Sequence, residues 1–382
     1  MMKSSLGIYI HIPFCVQKCH YCDFCSAPAD DDTKGLYTSA LIKNIASASE
    51  HFTDKEVDSV FFGGGTPTCL SADTLLQILD TVKRSYSVSN NAEITLECNP
   101  ATVSFNDLKR LSHGGFTRLS LGLQSVHDEE LKALGRIHSF EDFDKTYRDA
   151  RAAGFGNINI DLMYGIPRQT EESFLNTLKK VISYAPEHIS AYALKIEPGT
   201  LFFKNKASLI LPDEDSEYNM YKLAVNELFK AGYLHYEISN YAKKGYTSLH
   251  NLKYWSCDDY VGFGISAHSC IGRDRYAATS SIKQYVGSML YNDPNNYFTS
   301  TESLSSEEFA EEYIMMRLRL KDGLSVEEYK KKFLTELPQK YSERMVPFIQ
   351  SGHIIYNNGR YSFSDDGMYL SNYILTEILD LE

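Results

Sequence analysis

The sequence has few positive charges for its length. Its 38 Lys and Arg residues are outnumbered by 50 Asp and Glu residues, which gives a formal net charge of −12 at pH 7. Nucleic acids and anionic membranes are bound mainly through clustered positive charge. The composition therefore argues against either of them as the main partner.

The sequence also lacks a long hydrophobic run. No stretch reaches the about 18 apolar residues that a membrane-spanning helix needs. The first apolar segment follows a single Lys and is interrupted by His11 and Pro13, so it lacks the continuous core of a signal peptide. We expect a protein without a membrane span, located in the cytoplasm.

Cysteine is too sparse for a disulfide scaffold. The chain has 8 cysteines in 382 residues, and four of them cluster between residues 15 and 25. A reducing compartment suits this usage better than an oxidising one. The length allows two or three domains, and there is no internal repeat or low-complexity tract.

Three of the clustered thiols lie in the segment Cys15-Val16-Gln17-Lys18-Cys19-His20-Tyr21-Cys22. A short apolar run before it predicts a first strand, which places the cysteines on a loop. Three thiolates this close can hold three irons of a cubane cluster and leave the fourth iron without a protein ligand. An open metal position is typical of a site that performs chemistry.

Cys25 adds a fourth thiol, and four thiols are enough for a structural zinc site. Zinc ligands come more often as two separated pairs, and the spacing here is three and then two residues. Zinc, and more remotely a disulfide pair, are the alternatives for this loop.

Apolar strand-like runs alternate with helix-period segments from residue 6 to about 197. Six successive β-α units predict a parallel sheet wrapped by helices, and right-handed crossovers would curl it into a barrel or part of one. The predicted strands are 7–12, 58–62, 93–97, 118–123, 157–163 and 188–196. The predicted helices are near 34–51, 71–86, 105–113, 140–153 and 171–184.

Polar residues gather at the carboxyl ends of these strands, where barrels of this kind carry their chemistry. The second strand runs into Gly63-Gly64-Gly65-Thr66, whose backbone can approach a ligand closely. Glu97 and Gln124 end the third and fourth strands. Asp161 lies inside an apolar run, and a buried carboxylate needs partners, for which Arg136 is one candidate. Each of these residues alone is more often a turn or a solvated strand end.

The cysteine loop resembles the Cys-x3-Cys-x-aromatic-Cys signature of the radical S-adenosylmethionine (radical SAM) superfamily, and the glycine run resembles its "GGE-like" segment in a GGGTP form. In that superfamily the open iron chelates SAM, and an electron from the cluster cleaves SAM to a 5′-deoxyadenosyl radical. The resemblance implies a [4Fe-4S] cluster on Cys15, Cys19 and Cys22, with SAM beside it.

Further motifs narrow the resemblance to the oxygen-independent coproporphyrinogen III oxidase family, which comprises HemN-type decarboxylases and HemW-type heme chaperones. The motifs are Tyr9-Ile10-His11-Ile12-Pro13-Phe14-Cys15, GGGTPT, LGLQS, LGRIHS and NIDLMYGIP, and together they cover most of the chain. The resemblance implies an α/β fold. Its expected parts are a partial (β/α)6 TIM-like barrel over 1–200, an extension closing the barrel mouth over 201–300, and a winged-helix-like domain over 301–382.

By motif position, the same resemblance assigns contacts with SAM to ten residues. Tyr21 is the aromatic residue beside the cluster, and the others are Tyr9, Gly64, Gly65, Thr66, Glu97, Gln124, Arg136, Asp161 and Ala193. It also implies an electron donor such as flavodoxin or ferredoxin.

The segment His250-Asn251-Leu252-Lys253-Tyr254-Trp255 resembles the stretch that distinguishes HemW-type from HemN-type proteins. It follows a predicted helix at 213–231 and precedes a Gly-rich stretch at 262–269 that we expect to close the barrel mouth. His250 is the heme-ligand candidate by motif. The sequence leaves His11, His20, His138 and His268 open as well.

The last part of the chain, from residue 306, predicts helices at 306–320, 325–334 and 339–351, a hairpin at 354–356 and 360–363, and a final helix from residue 366. Asn357-Asn358-Gly359 supplies residues that tolerate positive φ in the hairpin turn. Helices with a hairpin resemble a winged helix, which often binds DNA. Acidic residues outnumber basic ones here, so we expect a lid or docking role instead.

Two functions follow from the resemblance. The expected one is a chaperone that binds heme, a [4Fe-4S] cluster and SAM, and passes heme to an acceptor protein. The alternative is a coproporphyrinogen III dehydrogenase-type oxidoreductase, which would make the protein an enzyme. The His250 motif and the short stretch before Tyr9 favour the chaperone, because HemN-type enzymes carry a longer N-terminal arm. Phe24 replaces a further cysteine of the HemN type, and the role of Cys25 stays open.

Overall fold

The computed structural model describes residues 4–291 and 297–381. Its centre is a run of six strands that lie parallel to one another in chain order. All six correspond to predicted strands, which confirms the repeated β-α pattern. They are β1 (Ser4–Ile12), β2 (Lys55–Gly64), β3 (Val88–Cys98), β4 (Arg118–Gln124), β5 (Ile158–Tyr164) and β6 (His188–Ala193).

Helices connect these strands and cover the outer face of the sheet. Leu75, Ile78, Leu79 and Val82 give one of them a buried stripe at helical spacing. A Ser or Thr side chain caps the N-terminus of most of them. The helices are α1 (Asp31–Ala48), α2 (Ala72–Ser85), α3 (Phe105–Gly114), α4 (Asp128–Ala133), α5 (Phe140–Ala152) and α6 (Glu171–Ser183). The short α4 was not predicted.

The following hundred residues extend the same sheet at both edges. At the β6 edge, β8 pairs antiparallel with β6, and β7 pairs antiparallel with β8. At the β1 edge, β9 pairs parallel with β1, and β10, β11 and β12 follow in antiparallel order. The strands are β7 (Leu234–His235), β8 (Asn240–Ala242), β9 (Tyr260–Phe263), β10 (His268–Ile271), β11 (Asp274–Ala278) and β12 (Phe298–Ser303). The Gly-rich stretch at 262–269 thus comprises the end of β9, a turn at 264–267 and the start of β10.

Four helices belong to this middle part of the chain. The HemW-type motif at 250–255 lies within one of them, and the helix predicted at 213–231 is confirmed. The helices are α7 (Leu201–Lys204), α8 (Glu214–Lys230), α9 (Leu249–Ser256) and α10 (Ile282–Tyr291).

The barrel interior is polar, whereas the outer face of the sheet is apolar. Along β1, Leu6, Ile8 and Ile10 are fully buried in the core. The alternate residues, such as Tyr9, face inward, because successive side chains of a strand point to opposite faces. Helix α9 contributes His250 to this interior, where its ring lies against Tyr9 with centroids 6.4 Å apart.

The C-terminal part has its own three-stranded sheet. The predicted hairpin is confirmed, and its turn residues Asn358 and Gly359 have φ of 50° and 75°. Lys222 and Tyr218 of α8 both bond the Asp366 carboxylate at 2.7 Å, which links this part to the barrel. The elements are α11 (Ser306–Leu318), β13 (Leu324–Ser325), α12 (Val326–Phe333), α13 (Gln339–Gln350), β14 (Ile354–Asn357), β15 (Arg360–Phe363), α14 (Asp365–Tyr369) and α15 (Ser371–Leu379).

Among the residues described, no helix combines the length and the apolar character needed to cross a bilayer. All eight cysteines are free thiols. Residues 1–3, 292–296 and 382, which fall within the predicted domain ranges, lie outside the described residues.

Candidate cofactor site

The base of the cysteine loop is held by the second strand. The Gly65 N–H donates to the Ile12 carbonyl at 2.9 Å, and the Thr66 N–H donates to the Phe14 carbonyl at 2.7 Å. The loop also closes on itself through a β-bridge between Phe14 and Ala27. The cysteine loop and the glycine run are therefore one hydrogen-bonded unit.

The tip of the cysteine loop is held from the other side of the barrel mouth. The backbone N–H of His20 donates to the Leu134 carbonyl at 3.0 Å, and its ring Nδ1 donates to the Ala133 carbonyl at 3.1 Å. The Phe202 N–H in turn donates to the His20 carbonyl at 2.9 Å. His20 thus anchors the loop, a role that the sequence motif did not indicate.

A cavity of about 280 Å³ lies between this loop and the carboxyl ends of the strands. The structure brings together there most of the residues predicted for the cluster and for SAM. These are Cys15, Cys19, Tyr21, Cys22, Gly64, Gly65, Thr66, Glu97, Gln124, Arg136 and Asp161. The wall also contains residues that were not predicted: Asn99, Ser120, Gly122, Met163 and Tyr192.

Arg136 braces the wall of this cavity. Its Nη2 donates to the Asn99 side-chain oxygen and to the Gly122 carbonyl, both at 2.6 Å. Asp161 instead accepts hydrogen bonds from Ser120 at 3.2 Å and from Asn159 at 2.7 Å. Arg136, one candidate partner of Asp161, therefore makes no direct ion pair with it among the described residues, although the Asp161 charge still acts on the guanidinium.

Glu97 and Asp161 form no ion pair in the described part of the chain, and only the more distant Arg118 guanidinium acts to lower the pKa of both. The Gly64 N–H donates to Glu97 at 3.2 Å. Burial, and then the nearby Asp161 carboxylate, raise the pKa of Glu97 to about 8. Burial also raises the pKa of Asp161 above its usual value. A cationic or hydroxyl-rich ligand would supply the partners that these carboxyls lack.

Three predicted residues do not line this cavity: Tyr9, Ala193 and His250. Ala193 is the last residue of β6 and is half-buried. The His250 ring is buried in the barrel, and both its nitrogens are engaged, by the Ser59 hydroxyl at 3.0 Å and by the Tyr254 hydroxyl at 2.8 Å. Burial lowers the pKa of His250 to about 3, so the ring is neutral. That His250 binds heme stays a prediction, and in this conformation neither nitrogen is free to do so.

A second, more open cavity of about 530 Å³ lies next to the first. Phe24, whose side chain is 62% exposed, lines both cavities. The remaining wall of the second cavity consists of Tyr9, His11, Asp23, Cys25, Tyr254, Tyr260, Ser266 and His268. Cys25 is thus separated from the three thiols of the first cavity.

Two segments of the chain match known protein families. Residues 9–181 match the radical SAM superfamily, and residues 304–370 match the HemN C-terminal domain. The heme chaperone HemW of Bacillus subtilis is 34% identical over 381 residues, which cover 99% of each chain. HemW of Escherichia coli is 37% identical over 323 residues, 82% of each chain. The chain belongs to the HemW family.

The fold also matches a known relative of the HemW family. The solved structure of the E. coli coproporphyrinogen III oxidase HemN, a radical SAM enzyme, has a TM-score of 0.85 and covers 99% of this chain and 91% of its own. At 23% identity this likeness concerns the fold alone. Membership in the radical SAM superfamily implies a [4Fe-4S] cluster and SAM.

The three thiols of the first cavity suit a cluster better than a single metal ion. In residues 4–291 and 297–381, no three His, Cys, Asp or Glu side chains converge on one point, as a zinc ion requires. In a cubane held by three thiolates, each thiolate binds a different iron, so the three sulfurs need not converge on one point. Thr66 donates to the Cys15 sulfur at 3.6 Å and Arg136 to the Cys19 sulfur at 3.5 Å, contacts that tune clusters in other proteins.

The first prediction concerns Gly65, whose missing side chain lets the two loops meet. A Cβ at Gly65 would lie 2.7 Å from the Phe14 carbonyl and 3.0 Å from the Cys15 sulfur. Gly65→Ala should therefore displace the cysteine loop and lower the iron content after anaerobic reconstitution to less than half. The matched control is Gly35→Ala in α1, where nothing lies within 4 Å. Gly35→Ala should keep its iron, and its free energy of unfolding should rise by about 0.5–1 kcal/mol. Full iron content in Gly65→Ala would contradict this account of the loop.

The second prediction concerns the raised pKa of Glu97. Because its folded-state pKa of about 8 lies above the ordinary 4.5, the carboxyl favours the folded state below pH 4.5, and this contribution is lost as the pH rises toward 8. The side chain is partly accessible from the cavity, so we expect Glu97→Gln to stabilise the apoprotein by only about 1–3 kcal/mol at pH 8. Urea unfolding at pH 5.5 and 8 measures this.

The same unfolding series needs an exposed carboxylate as its control. Glu56 on β2 is exposed, and Glu56→Gln should give the same free energy of unfolding as the parent at both pH values. An equal gain at pH 5.5 and pH 8 in Glu97→Gln would show that titration of the buried carboxyl is not its cause.

Proposed function

We propose that this protein is a heme chaperone that binds heme, a [4Fe-4S] cluster and SAM, and transfers heme to an acceptor protein. Membership in the HemW family supports the proposal, because the curated relatives carry that function in their names. The observation that carries it is the pair of adjoining cavities. One collects the thiols and carboxyls suited to a cluster and SAM, and the other is open and lined by aromatic rings.

In this proposal the cluster is held by Cys15, Cys19 and Cys22, with Tyr21 beside it. When bound, the cluster and SAM supply one-electron chemistry. The chain's own residues bind and orient SAM: the glycine run offers backbone groups, and the two carboxyls offer acceptors. The SAM contacts proposed are Tyr9, Gly64, Gly65, Thr66, Glu97, Gln124, Arg136, Asp161 and Ala193.

The partners belong to the proposal too. Val16, Gln17 and Lys18 are exposed, so the cysteine loop lies at the surface, where an electron donor such as flavodoxin or ferredoxin could reach the cluster. The acceptor of heme is a protein of unknown identity. Eight free cysteines support a location in a reducing compartment such as the cytoplasm.

The third prediction assigns the cluster ligands. Cys15→Ala, Cys19→Ala and Cys22→Ala should each lose most of the iron after anaerobic reconstitution, since each removes one iron's only protein ligand. Cys25→Ala should keep the full iron content, because Cys25 lines the other cavity. Iron analysis together with the visible absorbance of the cluster measures this. Loss of iron in Cys25→Ala would move Cys25 into the ligand set.

The fourth prediction separates the chaperone from a decarboxylase. The reconstituted protein should bind one heme per chain, seen as a Soret band, and should release it to apomyoglobin added as a heme scavenger. The same sample, given coproporphyrinogen III, SAM and dithionite, should form no vinyl products by chromatography. Holding a propionate beside a radical needs an enclosed site, and the second cavity is open.

The decarboxylation assay needs a variant that cannot form the cluster. Any vinyl product that persists in Cys19→Ala comes from a contaminant, because radical chemistry requires the cluster. SAM-dependent product over many turnovers in the parent, absent from Cys19→Ala, would replace the chaperone with the oxidase.

A further inference from the structure

We infer that heme binds in the second cavity with His268 as an axial ligand to its iron. This inference rests on the proposed function and names the residue through which it would operate. Heme iron is usually held by a histidine nitrogen or a cysteine thiolate. A histidine can ligate heme iron only if one of its ring nitrogens is free and faces a space that admits the porphyrin.

Two histidines are fully engaged inside the barrel. The Nδ1 of His11 bonds the Tyr9 hydroxyl at 3.0 Å, and its Nε2 donates to the Cys25 carbonyl at 2.9 Å. The His250 ring is bonded at both nitrogens as described above, and only 1% of the residue is exposed. Ligation through either ring would break one of its two hydrogen bonds, and for His250 it would also require opening the barrel.

Two more histidines are committed to the loops around the first cavity. His20 donates from Nδ1 to the Ala133 carbonyl and lines neither cavity described above. His138 is buried, and its Nε2 donates to the Leu123 carbonyl at 3.3 Å. Neither ring faces the second cavity.

Of the five candidates, His268 alone combines a place in the wall of the second cavity with an unbonded ring nitrogen, since His11 lines that cavity with both nitrogens bonded and His20 and His138 do not line it. His268 is exposed, it lines the second cavity, and its ring has no hydrogen-bond partner in residues 4–291 and 297–381. Its backbone is fixed, because it begins β10 and pairs with Ala277 of β11. Its carbonyl also lies so close to Gly262 that a Cβ there would be 2.3 Å away. A rigid backbone thus presents a free imidazole to an open cavity.

The cavity around His268 suits a flat aromatic ligand. Its volume of about 530 Å³ falls within the range of about 300–1,000 Å³ that is usual for small-molecule and cofactor sites. Tyr254 and Tyr260 form an edge-to-face pair with centroids 4.6 Å apart on one wall. The exposed Phe24 ring lies toward the first cavity. Such rings can contact a porphyrin face.

Cys25 is the competing donor in the same cavity. Its thiol makes only a long contact, 3.7 Å, to the Ser280 carbonyl. We assign the iron to His268 because a neutral imidazole needs no deprotonation to ligate iron, whereas a thiol does. Cys25 therefore becomes a variant that decides the assignment.

The test is an anaerobic heme titration of the full, cluster-loaded protein, followed by absorbance, electron paramagnetic resonance and resonance Raman spectra. His268→Ala should bind heme at least about tenfold more weakly and lose the spectral signature of histidine ligation. Added imidazole should restore that signature in His268→Ala, because it can occupy the vacated position. Iron–sulfur content and SAM affinity should equal those of the parent.

Two further variants serve as controls. Cys25→Ser should retain the histidine signature, and His250→Gln, which keeps a hydrogen-bonding side chain in the barrel, should retain both signature and affinity. An unchanged spectrum and affinity in His268→Ala would overturn the assignment. The assignment would also be overturned if Cys25→Ser or His250→Gln lost the axial signature while His268→Ala retained it. A parent protein that binds no stoichiometric heme would overturn the proposed function, and the assignment of His268 would fall with it.

Discussion

The site depends on the pairing of β1 and β2 continuing past the ends of both strands. Two backbone hydrogen bonds, from Gly65 to Ile12 and from Thr66 to Phe14, hold the cysteine loop and the glycine run as one unit. The approach is so close that a side chain at Gly65 would collide with the Phe14 carbonyl. Because parallel strands end at one edge of the sheet, the other polar strand ends face the same space. The thiols therefore meet the carboxyls without a separate scaffold.

The barrel interior supports this edge with a chain of polar contacts. The Asn159 amide donates to Asp161 and to Ser120, both at 2.7 Å, and its oxygen is bonded by His188 at 2.6 Å. The Nε2 of His188 is in turn hydrogen-bonded to the Tyr236 hydroxyl at 2.8 Å. These contacts orient Asp161, so it faces the cavity at little cost in unsatisfied groups. The pKa of Glu97 is raised by burial and by the nearby Asp161 carboxylate, and its single backbone donor, Gly64, offsets only part of this. Such a carboxyl costs stability until a ligand arrives.

The six barrel strands, most of their helices and most residues of the first cavity could be predicted from the sequence. The patterns that reveal them, hydrophobic periodicity and short motifs, involve residues close together along the chain. Strands were apparent as apolar runs, and the cavity residues as motifs at strand ends. Ser120 could have been found too, since it lies two residues before Gly122 and four before Gln124 on the same face of β4. The contacts of His20, Asn99 and His250 could not have been predicted from the sequence. They depend on which loop or helix crosses the barrel from a distant part of the chain, and spacing along the sequence does not carry that information.

Phe24 and Cys25 show how one position along a loop separates two chemistries. Phe24 borders both cavities, while the thiol of the next residue borders only the second. Both residues lie in a bend of the loop, where the Phe24 ring reaches both cavities and the Cys25 thiol reaches only the second. By the resemblance of the sequence motifs, a HemN-type chain would be expected to carry a cysteine at the position of Phe24. Here an exposed aromatic ring occupies that place between the cavities, and the thiol faces the one that holds His268. The cluster loop thereby takes part in both cavities, and a ligand in the second cavity would contact the same loop that carries the cluster thiols.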